Sequence, residues 1–171
     1  LLATYDEIVF IPMSSGLSNT CQTALLLAEE EPYKDRVYVV DNHRISVTQA
    51  LSVLDAKTLA DEGKTACEIK NILEKEAMDA TIYIAVDTLE YLKKGGRITA
   101  AAAALGTILK LKPVLTIQGD KLDSYAKARG MKSAFRVMLE AVKSDIASRL
   151  SYLRKQGLLK VGIANTMMDP D

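Results

Sequence analysis

The sequence predicts an α/β protein in which a parallel-sheet βα unit is followed by a second, α+β domain. Apolar runs of strand length first alternate with helical patterns, the order typical of a parallel sheet covered by helices. From about residue 80, two strand patterns instead follow each other across a tight-turn signal, as in an antiparallel hairpin. We therefore predict two domains, over residues 1–78 and 79–171.

The first strand and helix are predicted from "YDEIVFIPMSS" and "LSNTCQTALLLAEEE". The first stretch holds a β-branched and aromatic run that ends at Pro12, which predicts a buried strand leading into a loop. Helix formers dominate the second stretch, so a helix is expected to begin near Ser18 and to close at Pro32.

The next three elements complete the first domain. "DRVYVVDNH" predicts a second buried strand. "SVTQALSVLDAKTLADEG" has apolar residues at helical spacing and ends at Gly63, so it predicts a helix. "TACEIKNILEKEAM" predicts another helix, because Thr65 and Glu68 have the spacing of a capping box.

The second domain begins with three short elements. "ATIYIAV" predicts a strand, and "DTLEYLKKGG" predicts a helix with Asp87 as its N-cap and Gly95 and Gly96 at its end. "RITAAAAALGTILKL" predicts a helix of small residues. Its alanines fit either tight helix packing or a space left for an apolar tail.

A hairpin, a long helix and a strand follow. "KPVLTIQGDKLDSYAKA" predicts two strands that turn at residues 118–120, where Gly and Asp tolerate the positive φ of a tight turn. "MKSAFRVMLEAVKSDIASRLSYLRKQG" predicts one amphipathic helix that ends before Gly157. "LKVGIANTMM" predicts a final strand.

The composition is that of a soluble globular protein, with 171 residues of which 49% are hydrophobic and 26% charged. No apolar run approaches the roughly 20 residues of a membrane-spanning helix, and the first residues lack a signal-peptide pattern. We expect a cytoplasmic protein without stable membrane insertion. Cys21 and Cys67 lack the spacing of a zinc site or disulfide framework, so both are expected to be buried small hydrophobes.

Positive charge is concentrated in one region, although the net charge is zero. Residues 112–160 carry eleven Lys and Arg against four Asp and Glu. Such a region suits an acidic or phosphorylated partner, and the solvated face of a long helix accounts for it equally well. The chain has no Trp and two Phe, so few side chains are present to stack on nucleic-acid bases.

The sequence is expected to be a fragment that lacks both ends of a longer chain. It begins only a few residues before its first strand and stops at "MMDPD", directly after its last one. A parallel sheet of two strands would also leave bare edges. The two predicted domains would then be the C-terminal portion of an α/β domain and the N-terminal portion of an α+β domain.

The serines of "IPMSSGLS" follow a predicted strand, at the end where parallel α/β units bind ligands. A helix that begins there offers unpaired N–H groups and the positive end of its dipole to a carboxylate or phosphate oxygen. Ser14 and Ser15 add hydroxyl donors, so anion binding is one interpretation. Simple capping of the helix by Ser15 or Ser18 is the other, and both can hold together.

A serine nucleophile is a third interpretation of this loop. The order "SSGLS" lacks the G-x-S-x-G pattern of serine hydrolases, and a Ser-dependent hydrolase would rest on His43, the only histidine in the sequence. No cluster of residues has metal-ligand spacing. We therefore expect neither a metal site nor a cofactor.

"LKKGGRI", residues 92–98, is the second candidate loop. Paired glycines let a backbone approach a ligand or another chain closely, and Arg97 brings a guanidinium suited to an oxyanion. A glycine C-cap followed by a solvent-exposed arginine is the alternative.

Four stretches of the sequence carry a further signal when taken together: "IPMSSGLSNTCQTA", "VVDNHRIS", "DTLEYLKKGGRI" and "LKPVLTIQGDKLDSYAKARGMKSA". Together they resemble the DegV family of fatty-acid-binding proteins. The resemblance implies two α/β domains with one long-chain fatty acid buried between them. It also implies a lipid-binding subunit rather than an enzyme, which presents the fatty acid to a separate fatty acid kinase subunit for acyl phosphate formation.

Carried onto this chain, the resemblance implies a carboxylate site at Ser14, Ser15 and Gly16, with Arg97 at or near it. Arg97 and Arg129 are implied to contact the kinase partner. The remaining alternatives are a Ser-dependent hydrolase and a nucleic-acid-binding regulatory protein.

Two departures from the family pattern accompany this resemblance. Asn19, Thr20 and Cys21 stand where the family usually has Gly, Thr and Tyr. The family's early Thr/Ser-containing loop and its late His-Gly-Pro-Gly segment have no counterpart in this sequence, as expected of a fragment.

Overall fold

The computed structural model of the chain describes residues 1–104, 111–117 and 121–166. Its mixed α/β architecture confirms the predicted fold class, with a two-stranded parallel sheet and a three-stranded antiparallel sheet. The chain forms two compact units, Leu1–Met78 together with the segment from Lys160, and Asp79–Leu159. The segment from Lys160, which falls within the predicted second domain, belongs to the first unit.

Among the residues that the structure describes, the first unit contains two strands and three helices. In chain order they are β1 (Ile8–Phe10), α1 (Thr20–Ala28), β2 (Val37–Val39), α2 (Ser46–Asp61) and α3 (Ala66–Lys75). The two strands pair in parallel, with Ile8 opposite Val37. This is the predicted order of strands and helices.

The core of the first unit joins the strands to α2 and α3. Val40, Ala56, Ile69 and Leu73 form a buried cluster, on which Val9, Ile11 and Leu59 pack. Ile69 and Leu73 are four residues apart in α3 and so lie on one face of that helix.

The predicted capping box at the start of α3 is confirmed. The Thr65 hydroxyl accepts the N–H of Glu68 at 3.2 Å, and the Glu68 carboxylate accepts the N–H of Thr65 at 2.9 Å. Two orphan donors of the first turn are satisfied in this way.

The C-terminal segment of the first unit lies against α2. A Cβ atom on Gly162 would clash with the side chain of Val47, so only glycine permits this approach. Residues 159–166 form no strand, and the predicted final strand is wrong over them. A β-strand is defined by backbone hydrogen bonds to an adjacent strand. This segment is instead exposed to solvent, and Ile163 is 92% accessible. Residues 167 and 168 of that prediction lie outside the described residues.

The second unit contains three strands and four short or medium helices among its described residues. In chain order they are β3 (Tyr83–Ala85), α4 (Glu90–Lys94), α5 (Ala100–Ala104), β4 (Leu111–Ile117), β5 (Leu122–Arg129), α6 (Met131–Ala147) and α7 (Ser151–Lys155). The antiparallel sheet has the order β3-β4-β5, and α6 covers it through Val114, Ala128 and Ala134. The β4–β5 hairpin is as predicted, although its turn at 118–120 lies outside the described residues.

Two predicted helix starts in this unit are wrong. Leu89 rather than Asp87 occupies the N-cap position of α4, because the Asp87 carboxylate accepts a hydrogen bond from Lys112 instead. The helix of small residues begins only at Ala100, since Ile98 forms a β-bridge with Leu122. Residues 105–110 of that predicted helix lie outside the described residues.

The predicted long helix is broken at Ser148, which separates α6 from α7. The Ser148 hydroxyl donates to the carbonyl of Ser144 at 2.7 Å, and Arg149 donates to the carbonyl of Ala80 at 3.2 Å. The break also lets Leu150 become buried. Local side-chain bonds and burial thus override a continuous helical pattern.

Candidate functional site

Residues 11–19, here called the serine loop, connect β1 to α1 and lie beside the segment that follows β2. Two hydrogen bonds join these segments. The N–H of Ser14 donates to the carbonyl of Arg44 at 3.0 Å, and the N–H of Ser15 donates to Oδ1 of Asp41 at 3.4 Å. The C-terminal ends of two parallel strands therefore meet at this loop, as in other parallel α/β units.

A tight turn inside the serine loop buries Ser14. Its carbonyl accepts the N–H groups of Leu17 at 3.0 Å and of Ser18 at 3.1 Å. The turn leaves Ser14 1% exposed, whereas Ser15 and Gly16 are half-buried. The three predicted head-group residues are thus adjacent but differ in their access to a ligand.

The hydroxyl of Ser14 is buried and has no hydrogen-bond partner among the described residues. Buried hydroxyls are nearly always bonded, and one left unsatisfied costs about 1–3 kcal/mol. The Ser14 hydroxyl is therefore a donor that a ligand oxygen could satisfy.

The helix that follows begins later than predicted. Asn19 is the N-cap of α1 and makes no side-chain capping bond, so neither Ser15 nor Ser18 occupies the predicted cap position. The turn centred on Ser14 extends the loop and delays the helix. The hydroxyl of Ser18 still accepts the N–H of Thr20 at 3.3 Å. The other N–H groups of the first turn have no intrahelical acceptor and carry the positive end of the dipole.

An open groove of about 460 Å³ runs along the start of α1. Its lining is polar at Ser18, Asn19, Thr20 and Thr23 and apolar at Phe10, Ala24 and Leu27. The volume lies in the range of about 300–1,000 Å³ that small-molecule sites occupy. A groove with a hydroxyl-bearing part and an apolar part matches a molecule with a polar head and an apolar tail.

A charged network lies under the serine loop. Glu74 accepts the N–H of Asp41 at 3.1 Å and the Nζ of Lys70 at 2.7 Å. Cys21 is fully buried, as predicted, and burial together with the nearby Asp41 raises the pKa of its thiol to about 11. The thiol therefore stays protonated at neutral pH.

Cys67 is exposed, and its predicted burial is wrong. It lies in the first turn of α3 on the face turned away from Ile69 and Leu73, so the helix packs without it. Its place in the helical pattern "TACEIKNILEKEAM" did not reveal which face of the helix it would occupy.

A buried polar network fixes the segment after β2. The hydroxyl of Ser52 accepts Nδ2 of Asn42 at 2.9 Å and Nη1 of Arg44 at 3.0 Å, and it donates to the carbonyl of Thr48 at 3.1 Å. Because the carbonyl of Arg44 holds Ser14, this network also positions the serine loop. Sequence reasoning missed these residues, although polar Asn42 and Arg44 directly after a buried strand were an available signal.

His43 does not act on the Ser14 hydroxyl, which has no partner among the described residues. Its Nδ1 instead lies 3.8 Å from Oδ1 of Asp41. A hydrolase needs a serine held by a general base. The hydrolase interpretation therefore gains no support at Ser14.

Residues 95–99, here called the arginine loop, belong to the second unit and are exposed at Arg97. Nη1 of Arg97 donates to the carbonyl of Gly95, and its N–H donates to the carbonyl of Leu92 at 3.0 Å. Gly96 has φ +68°, which favours glycine at this tight turn.

The arginine loop is tied to the start of β5. The N–H of Leu122 donates to the carbonyl of Arg97 at 3.1 Å, and the N–H of Thr99 donates to the carbonyl of Leu122 at 2.9 Å. The hydroxyl of Thr99 also donates to Oδ1 of Asp123 at 2.6 Å. Arg129, the other predicted partner contact, is exposed at the end of β5.

Neither a candidate metal site nor a membrane-spanning helix is found in the part of the chain that the structure describes. Within those residues no group of three His, Cys, Asp or Glu side chains is placed to hold a metal ion. No helix there is both long enough and apolar enough to span a membrane.

Comparison with known proteins identifies the family. A family model described as "Uncharacterised protein, DegV family" matches residues 1–157. The chain belongs to the DegV family. This DegV chain is 34% identical over 156 residues to a DegV domain-containing protein of Deinococcus radiodurans, a match that covers 89% of the chain and 55% of that protein.

Solved structures of DegV proteins share the fold. A DegV family protein from Thermus thermophilus, studied for its fatty acid binding, superimposes with a TM-score of 0.73 at 40% identity, covering 84% of this chain and 50% of that one. A Thermotoga maritima protein whose structure revealed a fatty acid binding function gives 0.67 at 30% identity, covering 84% and 49%. The DegV chain described here spans about half the length of the curated relatives it matches.

Proposed function

We propose that this DegV chain binds a long-chain fatty acid, with the carboxylate at the serine loop. Ser14, Ser15 and Gly16 are the proposed head-group residues, and the groove along α1 is proposed to receive part of the acyl chain. Related DegV structures from Thermus thermophilus and Thermotoga maritima are of fatty-acid-binding proteins, which supports this ligand class.

One observation carries the proposal: a loop with a buried hydroxyl that has no partner in the described part of the chain adjoins a groove that is polar at one part and apolar at another. The two features are linked through Ser18, which lines the groove and whose N–H donates to the carbonyl of Ser14 at 3.1 Å. Hydroxyl and helix N-terminal donors favour a carboxylate, while each buried CH₂ of the tail adds about 0.8 kcal/mol.

The chain is further proposed to be a cytoplasmic lipid-binding subunit without catalytic residues of its own. In this proposal it presents the fatty acid to a kinase subunit, which transfers a phosphoryl group to the carboxylate and forms an acyl phosphate for phospholipid synthesis. Arg97 and Arg129 are the proposed partner contacts. Both are exposed arginines, a residue type enriched among interface hot spots.

Replacement of the serines tests the carboxylate site. We expect Ser14→Ala and Ser15→Ala each to weaken palmitate binding about tenfold, because each removes a hydrogen bond to a charged group. Binding of methyl palmitate, which lacks that charge, should change much less. Affinities measured by isothermal titration calorimetry for both ligands give the comparison.

Ser144→Ala is the matched control, since Ser144 is exposed on α6 in the second unit. It should leave both affinities unchanged. Equal losses for palmitate and methyl palmitate in the loop variants would contradict a carboxylate role for the serines.

A further inference from the structure

We infer that Asp41 is the acceptor that a ligand carboxylate displaces in the serine loop, and that its charge sets the preference of the site among head groups. The inference rests on the proposed function, because it takes the serine loop to be the head-group site. It adds a specificity-determining residue that lies 26 positions from Ser15 in the sequence.

The contact between Asp41 and the loop is weak in its geometry. The N–H of Ser15 is 3.4 Å from Oδ1 of Asp41, beyond the usual range of about 2.7–3.2 Å for such bonds. A ligand oxygen with a shorter approach would therefore replace it at little loss. The Ser15 N–H thus already contacts a carboxylate, the same chemical group as the head group of the proposed ligand.

The groups that face Asp41 lie on α3, on α1 and on its own segment. On α3, Lys70 pairs with Glu74 at 2.7 Å, and Glu74 is itself an anion that accepts the N–H of Asp41. On α1, the raised pKa of Cys21 keeps its thiol neutral. On its own segment, Asp41 faces the imidazole of His43 at 3.8 Å. Within the described part of the chain, no Lys or Arg forms an ion pair with Asp41.

An anionic head group at Ser15 therefore meets a like charge. The Asp41 side chain is 22% exposed, so solvent screens this repulsion only in part. A neutral head group escapes the repulsion, and a doubly charged phosphate meets more of it than a carboxylate does. In the proposed function, the same effect would favour release of an acyl phosphate over retention of the acid.

The Asp41→Asn variant tests this assignment, because it removes the charge and keeps a side-chain oxygen for the Ser15 N–H. Dissociation constants are measured for palmitate, hexadecanol and hexadecyl phosphate, three probes with the same alkyl chain. We expect Asp41→Asn to tighten palmitate binding about tenfold and hexadecyl phosphate binding more, as for removal of a nearby like charge. Hexadecanol binding should stay within about twofold.

Asp61→Asn is the matched control, since it removes an exposed carboxylate at the end of α2 that pairs with Lys57. It should leave all three affinities unchanged. Palmitate binding by Asp41→Asn but not by the wild type would support the role of Asp41 and contradict the proposed function of the wild-type chain.

Equal changes in affinity for the three probes, or no change, would overturn the inference without contradicting the proposed fatty acid binding. If neither protein binds palmitate, both the proposed function and the inference fail. If Asp41→Asn does not fold, the wild type alone decides: affinity should fall from palmitate to the more highly charged hexadecyl phosphate, and the reverse order overturns the inference.

Discussion

The serine loop and the arginine loop have similar sequence signals but opposite surroundings. Both combine glycine with polar side chains next to a short element. In the first, Ser14 is buried and its hydroxyl has no partner among the described residues, whereas in the second Arg97 is exposed and donates to the carbonyl of Gly95, two residues before it. A buried unsatisfied donor suits a small ligand that enters the protein, while an exposed guanidinium suits another macromolecule.

The supports of the two loops differ in the same way. The serine loop depends on the buried hydrogen bonds of Ser52. The arginine loop depends on the partly accessible hydrogen bond between Thr99 and Asp123. Buried polar bonds cost more to break than accessible ones, because water cannot replace the lost partner. Three changes test this contrast.

The largest effect is expected from Ser52→Ala. The change leaves Nδ2 of Asn42 and Nη1 of Arg44 without their shared acceptor, and the loss should lower the free energy of unfolding by about 1–3 kcal/mol. Urea denaturation measures the loss. Hydrogen exchange should also show faster opening at Ser14, whose N–H depends on Arg44.

Ser144→Ala serves as the control for Ser52→Ala, because an exposed helix serine contributes within about 0.5 kcal/mol. A Ser52→Ala protein as stable as the wild type, with unchanged amide hydrogen exchange at Ser14, would show that the Ser52 hydrogen bonds do not hold the serine loop.

An intermediate effect, confined to partner binding, is expected from Arg97→Ala. The side chain is exposed, so the free energy of unfolding should change by no more than about 0.5 kcal/mol. Affinity for the proposed partner, a fatty acid kinase subunit, should fall about tenfold, as for an interface arginine. Surface plasmon resonance measures the affinity, and calorimetry with palmitate shows whether Arg97 also acts on the carboxylate.

Arg97→Lys separates charge from geometry in the same assay. Lysine keeps the charge but loses the planar fork, so it should restore only part of the affinity. Undiminished affinity in Arg97→Ala would remove Arg97 from the proposed interface.

The smallest effect is expected from Asp123→Asn and depends on pH. The hydrogen bond from Thr99, with the N–H of Ser124, lowers the pKa of Asp123 below its ordinary value of 3.8. A lowered folded-state pKa means that the stabilisation is present above that ordinary value and is lost as the pH falls through the folded-state pKa. Below about pH 4 the wild type should therefore lose stability more steeply than Asp123→Asn.

Denaturation curves between pH 2.5 and pH 6 measure this difference. Glu140→Gln, an exposed change on α6, should follow the wild type over the same range. Identical slopes for the wild type and Asp123→Asn would show that the ionised carboxylate does not support the arginine loop.

The fold was predictable where local pattern and tertiary structure agree. The capping box of Thr65 and Glu68, the β4–β5 hairpin and the βα order of the first unit follow from spacing over a few residues. The break at Ser148 was not predictable, because the apolar spacing continues through it. It depends on the burial of Leu150 and on contacts with Ala80, which lies 69 residues before Arg149.

The candidate site was predictable in its residue types but not in its supports. Strand-to-helix position and hydroxyl content pointed to Ser14 and Ser15, and family resemblance pointed to the same loop. Asp41 and Ser52 act on that loop only because β1 and β2 are adjacent and α2 packs beside them. Such contacts join distant parts of the chain and leave no periodic signal in the sequence.

The close approach of Gly162 to Val47 has a consequence for sequence variation. Residue 162 is solvent-exposed, and exposed positions ordinarily accept many amino acids. Here every side chain other than hydrogen meets Val47. A mutational scan of this chain should therefore show an intolerant position within an otherwise permissive C-terminal segment, and a smaller residue at position 47 should restore tolerance at 162.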